Sequence, residues 1–224
     1  FDFWVKSTGK TDFRFDTAGK LPILTGTPQE QAIILRALLL NCLTKYYGPL
    51  WEEVFQPEMV NDGWAKGDPR LRSERFSSLT SEWKWEVPLR TDYERRQALI
   101  ELDVLVAMAL GMTLEQLQTI YRIQFPVLRQ YEQGTWYDRN GRIVKTNNRS
   151  LTNVGYGSSK EEKQIWEEIK DAAAGSFERV IEDDTMPGGP VERAITYEAP
   201  FDQCSREEDY AVVWAHFDRQ FGLD

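Results

Sequence analysis

The chain has 224 residues and a formal net charge of −9 at pH 7, and 41% of its residues are hydrophobic. A chain of this length can bury about 70% of its unfolded surface in one large domain or two small ones, and its eight Trp and eleven Phe exclude a largely disordered protein. The acidic balance excludes a protein that coats nucleic acid or membranes over its whole surface, but it permits a local basic contact surface.

Cysteine usage and hydropathy exclude two further classes of protein. Cys42 and Cys204 lie far apart, and with a single His in the chain they do not form the ligand spacing of a zinc site. We expect both to be free, buried thiols in a reducing, cytoplasmic compartment. The longest apolar run, 32–43, is broken by one Arg and one Asn, so no membrane contact is expected. The chain opens at Phe1 without a basic leader, which suggests a piece of a longer polypeptide.

The residue pattern predicts three regions. Residues 1–26 alternate aromatic and polar side chains around a glycine turn, which is typical of a β-rich segment that continues an upstream domain. Residues 27–134 are expected to be mainly helical, and residues 135–224 to form an α+β region with a basic hairpin-loop. The predicted fold class is therefore α+β, with central apolar helices and short antiparallel strands and hairpins towards both ends.

The first central helix is predicted to start at a strong capping signal. Thr27 would be the N-cap, Pro28 the first helical residue and Glu30 the acid that closes a capping box. The residues that follow are apolar nearly all round, as in a buried helix. A short companion helix is predicted at 49–55, and the polar stretch 56–80 is interpreted as a long surface loop.

A second central helix is predicted from Thr91, with Glu94 closing its capping box and Gly111 ending it. The next helix starts at Thr113 with the same signature. Pro126 is expected to break or bend that helix, because proline lacks the N–H that a helix interior requires.

Asp103 is predicted to lie on a buried face of the second central helix, since its neighbours at helical spacing include Ile100 and Val106. A buried carboxylate needs a partner of opposite charge. We expect an ion pair with an arginine such as Arg122 or Arg129. A role as an acid or base tuned by burial has no second catalytic group to support it.

Beyond residue 134 the pattern changes to strands and turns. Asn140 and Gly141 are expected to supply the positive backbone angles of a two-residue hairpin turn. The remaining predicted elements, in chain order, are an amphipathic helix, two strands and a capped final helix, at 159–173, 176–183, 192–200 and 205–221.

No pattern predicts a self-sufficient active site, and no catalytic, cofactor-binding or metal-binding residue is assigned. His216 shares an apolar face with Phe217, so we expect it to pack rather than to catalyse. Asp68, Glu82 and Lys84 loosely match the two carboxylates and lysine of metal-dependent nucleases. The tryptophans on either side of Lys84 favour a loop that is anchored by their burial.

One segment stands apart from the acidic bulk. Residues 139–160 contain five Lys or Arg and no Asp or Glu, interleaved with Asn and Tyr. Basic side chains neutralise phosphates, and Asn and Arg can read base edges in a groove. The segment is either a solvated hairpin-loop that maintains solubility or a docking edge for DNA. In the second case the expected DNA contacts are Arg139, Arg142, Lys145 and Arg149, with Lys10 and Arg14 as a second group.

Several long phrases of the chain are similar to one family. They are "FDFWVKSTGKTDFRFDTAGKLPIL", "LRALLLNCLTKYYGPLWEEVF", "PLRTDYERRQALIELDVLVAMALGMTLEQL", "YRIQFPVLRQYEQGTWYDRNGRIV" and "DDTMPGGPVERAITYEAPFDQCSREEDY". They resemble large adenine-specific DNA methyltransferases of restriction-modification and phage-defence systems, type IIG-like or BREX-like. The first phrase resembles the segment where an aromatic-rich strand leads into a "KQLPVL"-like run, and the other phrases resemble the region after it. The likeness covers most of the chain.

The resemblance implies a C-terminal region that follows an S-adenosylmethionine-binding catalytic domain. The Asn-Pro-Pro-Tyr catalytic motif and the Gly-rich cofactor motif of the family are absent from this sequence, so S-adenosylmethionine is expected in the parent enzyme and not in this chain. The implied role is recognition or clamping of double-stranded DNA. The alternatives are a protein-interaction module that docks another subunit of a defence complex, and a small independent nuclease that uses Asp68, Glu82 and Lys84.

Overall fold

Helices and short antiparallel strands form an α+β fold, as the sequence predicts. The computed structural model describes Gly19 and residues 24–148, 150–151, 153–157, 159–184 and 187–222. The β-rich segment predicted at 1–26 lies almost wholly outside these residues. The helices, numbered along the chain, are α1 (Glu30–Asn41), α2 (Gly48–Val54), α3 (Asp92–Ala109), α4 (Leu114–Gln124), α5 (Pro126–Gln133), α6 (Lys160–Ile169) and α7 (Arg206–Phe221), with 3-10 turns at Lys45–Tyr47 and Pro57–Asn61.

The strands form two small sheets in the described part of the chain. They are β1 (Trp136–Tyr137), β2 (Ile143–Lys145), β3 (Ser176–Asp183), β4 (Val191–Glu198) and β5 (Asp202–Gln203). β1 pairs antiparallel with both β2 and β5, which gives the order β2-β1-β5, and β3 pairs antiparallel with β4 along its whole length. The predicted hairpin is confirmed, and so are the two strands predicted at 176–183 and 192–200, of which the second ends at Glu198.

Helix α3 is the central element, packed between α1 and α7. On one side, buried apolar residues of α1, α2 and the segment before α3 form a core that includes Leu35, Leu39, Trp51, Phe76 and Leu89. On the other side, α3 packs with α4 and α7 through Ile100, Val104, Leu105, Tyr210, Val213 and Phe217. The apolar α1 is therefore central, as predicted.

A buried ion pair joins α3 to α1. Glu101 on α3 accepts a hydrogen bond from Arg36 Nε at 2.6 Å, and neither side chain is exposed to solvent. The other guanidinium donors of Arg36 reach Asp62 at 2.9 Å and the carbonyls of Ala32 and Gly63. This pairing keeps the Arg36 pKa above its usual value even though burial alone would lower it. The arginine is thus nearly saturated with acceptors, as a buried charge must be.

The segment 56–80 is a loop with many exposed residues, as predicted, but part of it is buried in the core. Phe76 and Arg75 are buried within it. Arg75 pairs with the buried Glu94 of α3 at 3.0 Å and also donates to the carbonyl of Glu86 at 2.6 Å. The polar composition of the loop predicted exposure to solvent. The sequence does not show that Glu94 neutralises arginines of the loop inside the fold.

The predicted starts of α3 and α4 are confirmed. Thr91 accepts a hydrogen bond from the Glu94 backbone N–H, and Thr113 forms a reciprocal capping box with Gln116. Gly111, at φ +69°, follows the end of α3. The Glu94 side chain does not return to cap α3, because its carboxylate binds arginines of the loop.

The predicted start of α1 is wrong. Its N-cap is Gln29, two residues after Thr27, and no side chain caps it. Residues 27–30 form a turn in which the Glu30 N–H donates to the Thr27 carbonyl at 3.1 Å. The Glu30 carboxylate accepts a hydrogen bond from the Gly26 N–H at 2.7 Å, so it does not close the capping box that was expected with Thr27.

Asp103 forms an ion pair, but with a different partner, and the prediction that it lies on a buried face is wrong, since its side chain is 45% exposed. Its carboxylate accepts from Arg206 Nη1 at 2.9 Å and from the Tyr210 hydroxyl at 2.7 Å, both on α7. Arg122 instead pairs with Glu207, and Arg129 donates to the Arg122 carbonyl. The predicted arginines are nearer in sequence, but α7 is the helix that packs against this part of α3.

Breaking the α3–α1 pair should destabilise the fold strongly. We predict that Glu101→Ala lowers the free energy of unfolding by about 3 kcal/mol, because Arg36 would keep its buried charge with Asp62 as its remaining carboxylate. Glu53→Ala, at an exposed position on α2, should change it by less than about 0.5 kcal/mol. Denaturant unfolding measures both variants. Equal small shifts would contradict the assignment of Glu101 as a structural partner.

The solvent-facing side of the β3–β4 pair carries an unfavourable charge arrangement. Glu182 lies directly opposite Glu192 in the antiparallel register, and both side chains are exposed. Like charges at opposed positions destabilise a sheet by up to about 1 kcal/mol. Glu192→Lys should therefore raise the free energy of unfolding by about 0.2–1 kcal/mol at low salt, with a smaller gain at high salt. A loss of stability in thermal unfolding would contradict the observed register.

Candidate nucleic-acid interface

The turn of the β1–β2 hairpin is organised by the buried side chain of Asp138. Its Oδ1 accepts hydrogen bonds from the backbone N–H of Asn140 at 2.9 Å and of Arg142 at 2.8 Å. Its Oδ2 accepts from the backbone N–H of Glu198, at the end of β4, at 3.2 Å. One carboxylate therefore fixes the turn and ties it to the second sheet.

The hairpin is confirmed, but the predicted two-residue turn is wrong. Of the described residues 138–142, Gly141 is the one with a positive φ, at +81°. The Gly141 N–H donates to the Asp138 carbonyl at 3.0 Å, and the Asp138 N–H donates to the Arg142 carbonyl at 3.0 Å. Asn140 keeps a negative φ because the Asp138 side chain replaces the tighter turn with a longer one.

The turn docks on the N-terminal end of α3. The Tyr93 N–H donates to the Gly141 carbonyl at 2.9 Å, and the Ile143 N–H donates to Asp92 Oδ2 at 2.9 Å. A Cβ atom at position 141 would come within 2.9 Å of the Tyr93 Cβ. Glycine is therefore required here both by the backbone angle and by the close approach of α3.

Arg70 and Asp68 support the turn from the helical side. The Arg70 guanidinium lies 3.9 Å from the centre of the Tyr93 ring and binds Asp68 through Nε and Nη2, both at 2.8 Å. The Tyr93 hydroxyl also donates to Asp68 at 2.8 Å, and Arg70 pairs with Asp202 of β5. Burial opposes ionisation of Asp68, but the hydrogen bonds from Arg70 and Tyr93 outweigh it and lower the pKa of Asp68 to about 2.

Arg139 and Arg142 lie on this anchored turn with exposed side chains. Neither guanidinium makes a hydrogen bond or ion pair with a residue that the structure describes. Other arginines of the described chain do form ion pairs, namely Arg36, Arg70, Arg72, Arg75, Arg96, Arg122, Arg179, Arg193 and Arg206. The two guanidinium groups at the turn are therefore available to an external anion.

Lys145 is less available than predicted. It lies on β2, partly buried, and its Nζ donates to Asn147 Oδ1 at 2.7 Å and to the Thr146 carbonyl at 3.3 Å. Burial and the nearby Lys163 lower the pKa of Lys145. It is a weaker candidate for a phosphate contact than the arginines of the turn. The other predicted contacts, Arg149, Lys10 and Arg14, lie outside the described residues.

An exposed aromatic residue, Trp85, is linked to the turn through the segment that precedes α3. Thr91 Oγ1 would be 3.7 Å from a Cβ at Gly141, and the preceding residue, Arg90, stacks on Trp85. Trp85 is 62% exposed, so the prediction that its burial anchors the loop is wrong. Trp83 has that role, since its indole N–H donates to the Cys42 carbonyl at 2.8 Å. The two tryptophans occur in the same sequence context, so burial could not be assigned from sequence.

The nuclease alternative gains no support from the described residues. Both carboxylate oxygens of Asp68 are engaged by Arg70 and Tyr93, and Lys84 pairs with the exposed Glu82 at 3.3 Å. In the described ranges no group of three His, Cys, Asp or Glu side chains is arranged to hold a metal ion.

His216 and the two cysteines were the other residues considered as candidates in the sequence. The His216 ring packs edge-on against Phe217, with 5.1 Å between ring centres. Both cysteines are free; Cys42 is buried as expected, whereas Cys204 is partly exposed. Burial raises the pKa of both thiols. Among the helices described, none combines the length and the apolar character that crossing a membrane requires.

Comparisons with protein-family models, with curated proteins and with solved structures find no match to this chain. The resemblance to DNA methyltransferases therefore stays a prediction that rests on the sequence phrases quoted above.

The depressed pKa of Asp68 makes a prediction about pH. Its folded pKa, about 2, lies below the unfolded value of about 3.9, so its contribution to stability is present above about pH 4 and is lost as the pH falls towards 2. Asp68→Asn should therefore be less stable than wild type by about 1 kcal/mol at pH 7, a value reduced for its position near solvent. This difference in the free energy of unfolding between wild type and Asp68→Asn should become smaller below about pH 4.

Urea unfolding across this pH range measures the difference, with Glu82→Gln as an exposed carboxylate control. A gap between wild type and Asp68→Asn that stays constant down to about pH 2.5 would show that ionisation of Asp68 does not stabilise the fold.

Proposed function

We propose that this chain is the non-catalytic C-terminal DNA-recognition or clamp region of an adenine-specific DNA methyltransferase in a restriction-modification or phage-defence system, acting in the cytoplasm on double-stranded DNA. The observation that carries the proposal is the pair of exposed arginines, Arg139 and Arg142, unpaired within the described residues on a turn that α3 holds. The quoted sequence phrases supply the enzyme class. Methyl transfer and S-adenosylmethionine are assigned to the catalytic domain of the parent enzyme.

The chemistry of the turn suits a phosphate backbone. A guanidinium group can donate two parallel hydrogen bonds to a phosphate, and it stays charged at every physiological pH. Because Arg139 and Arg142 have no described partner, binding a phosphate breaks no ion pair of the described fold. The backbone of the turn is already fixed by Asp138 and α3, which reduces the conformational entropy that binding must overcome.

The acidic bulk of the chain supports an interface of limited extent. A net charge of −9 repels DNA from most of the surface, so the basic turn would be the edge that approaches the duplex. Contacts to phosphates fix the position of a protein on DNA but do not read its sequence. The proposed role of Arg139 and Arg142 is therefore positioning, and target readout is assigned to no residue of the turn.

Removing both guanidinium groups should weaken DNA binding in a salt-dependent way. We predict that the Arg139→Ala/Arg142→Ala variant keeps its thermal unfolding profile but binds a duplex more weakly. The slope of log affinity against log salt should become shallower by about two units, one for each phosphate that an arginine no longer neutralises. Fluorescence anisotropy with a labelled duplex, between about 50 and 200 mM salt, measures both quantities.

The matched control is Arg219→Ala. Arg219 is also exposed, and its side chain has no hydrogen bond to a described residue, but it lies in the last turn of α7. This variant should keep the wild-type affinity and slope. If the double variant also keeps them, the turn does not bind DNA and the proposal fails.

A second candidate function is supported by the solvent-facing side of the β3–β4 pair. Glu178, Glu182 and Glu192 are exposed on this side around Val180, which is also exposed. An acidic surface with an apolar centre suits a basic surface of another protein, such as a second subunit of a defence complex. An unchanged salt slope in the double arginine variant would favour this candidate.

A further inference from the structure

Trp85 and Arg90 form a fixed aromatic–cation stack on the surface. The Arg90 guanidinium carbon lies 3.7 Å from the centre of the Trp85 ring. Arg90 Nη2 donates to the carbonyls of Trp85 and Leu43, both at 3.0 Å, so the guanidinium is held over the ring by the backbone of two segments. Trp85 is nevertheless 62% exposed. The indole is therefore ordered by the protein but remains accessible to a ligand.

Hydrogen bonds and burial fix the chain on both sides of Trp85. Before it, the Trp83 indole donates to the Cys42 carbonyl. After it, Val87 and Leu89 are buried, and the Leu89 N–H donates to the Leu39 carbonyl of α1 at 2.9 Å. A large aromatic ring that the fold holds in water forgoes the stabilisation of burial. The exposed part of the ring is open to a ligand.

A second aromatic–cation pair lies close by. Leu43, whose carbonyl accepts from Arg90, is followed by the 3-10 turn Lys45–Tyr47. In that turn Tyr46 is 84% exposed, and Lys45 Nζ lies 5.8 Å from its ring centre. Two exposed rings with cations against them therefore lie close together, and the residue after Arg90 approaches Gly141 of the hairpin turn.

We propose that the Trp85–Arg90 stack binds an unpaired nucleobase of DNA. Aromatic side chains with nearby arginines bind single-stranded nucleic acid by stacking on base faces, while the cations track the phosphates. Inside an intact duplex each base face is covered by its neighbours, so a flat stack on the protein surface has no free face to meet. A bulged, terminal or extruded base offers one. The inference rests on the proposed DNA-binding function and adds a preference for disrupted duplexes.

The cations decide in favour of a nucleic acid over an apolar protein segment. Arg90 and Lys45 lie against the two rings, and Arg139 and Arg142 on the hairpin turn make no hydrogen bond or ion pair with a described residue. An apolar segment would bury these charges without compensation. A DNA strand brings one phosphate for each base, and so it satisfies both the rings and the cations.

The test compares two labelled duplexes that differ by one unpaired adenine in a central bulge. Wild type should bind the bulged duplex more tightly than the fully paired one. Trp85→Ala should lose at least about fivefold in affinity for the bulged duplex, equivalent to about 1 kcal/mol, and less than about twofold for the paired duplex. Trp85→Phe keeps an aromatic face and should retain most of the preference. Ile123→Ala, at a 65% exposed position on α4, should change neither affinity.

Trp85→Leu provides a second variant, since it keeps apolar bulk but has no aromatic face, and it should show the same selective loss as Trp85→Ala. An equal loss on both duplexes, or no loss on the bulged one, overturns the stacking inference. If Arg139→Ala/Arg142→Ala still weakens both duplexes in that case, the proposed DNA-binding function survives without it. If wild type binds neither duplex, both proposals fail.

Discussion

The fold depends on the need to neutralise charges that α3 carries into the interior. Glu94, Arg96 and Glu101 are all buried, and each has its partner on a different segment: Arg75 in the loop before α3, Asp209 on α7 and Arg36 on α1. An unpaired buried charge costs far more than a misplaced apolar group. Apolar packing alone would tolerate sliding of these segments against α3. The ion pairs permit one arrangement, so we interpret them as determinants of specificity more than of net stability.

The same helix, α3, also fixes the position of the candidate interface. In its first turn, Asp92 accepts a hydrogen bond from the hairpin backbone, and the Tyr93 N–H donates one to it. Further along α3, Arg96 forms an ion pair with Glu132 on α5 at 2.9 Å. β1 starts three residues after α5 ends. The hairpin is thus tied to the core at its base and at its tip. The position of two surface arginines therefore follows from interactions that begin at the buried ion pairs of the helical region.

Local signals in the sequence predicted local structure. The Thr113–Gln116 capping box, the Gly111 stop and the break at Pro126 involve residues within four positions of one another, and all three are present. Two local signals failed for local reasons, since Glu30 binds the Gly26 N–H and the Asp138 side chain lengthens the hairpin turn. Other failures depend on distant parts of the chain: the partner of Asp103 lies 103 residues away, and Trp83 and Trp85 differ only in which neighbours reach them. For the candidate site, the Asn140-Gly141 pair predicted the hairpin, and the charge pattern predicted the basic side chains that it carries. Docking on α3, the partial burial of Lys145 and the exposed stack of Trp85 required the tertiary structure.

The charge distribution at the turn explains why its arginines remain without described partners in an acidic protein. Two carboxylates lie next to them, Asp138 and Asp92. Asp138 is buried and accepts backbone N–H groups through both oxygens, and Asp92 accepts the N–H of Ile143. Backbone N–H groups use both oxygens of Asp138 and Oδ2 of Asp92, and the charge of Arg142 favours the ionised form of Asp92 without a hydrogen bond or ion pair between the two side chains. In the interior the opposite holds, since arginines supply the donors and carboxylates are neutralised by them. Most arginines of the described fold thus form ion pairs with its carboxylates. At the hairpin turn, the nearby carboxylates accept hydrogen bonds from the backbone, and the guanidinium groups of Arg139 and Arg142 form no ion pair with a described residue.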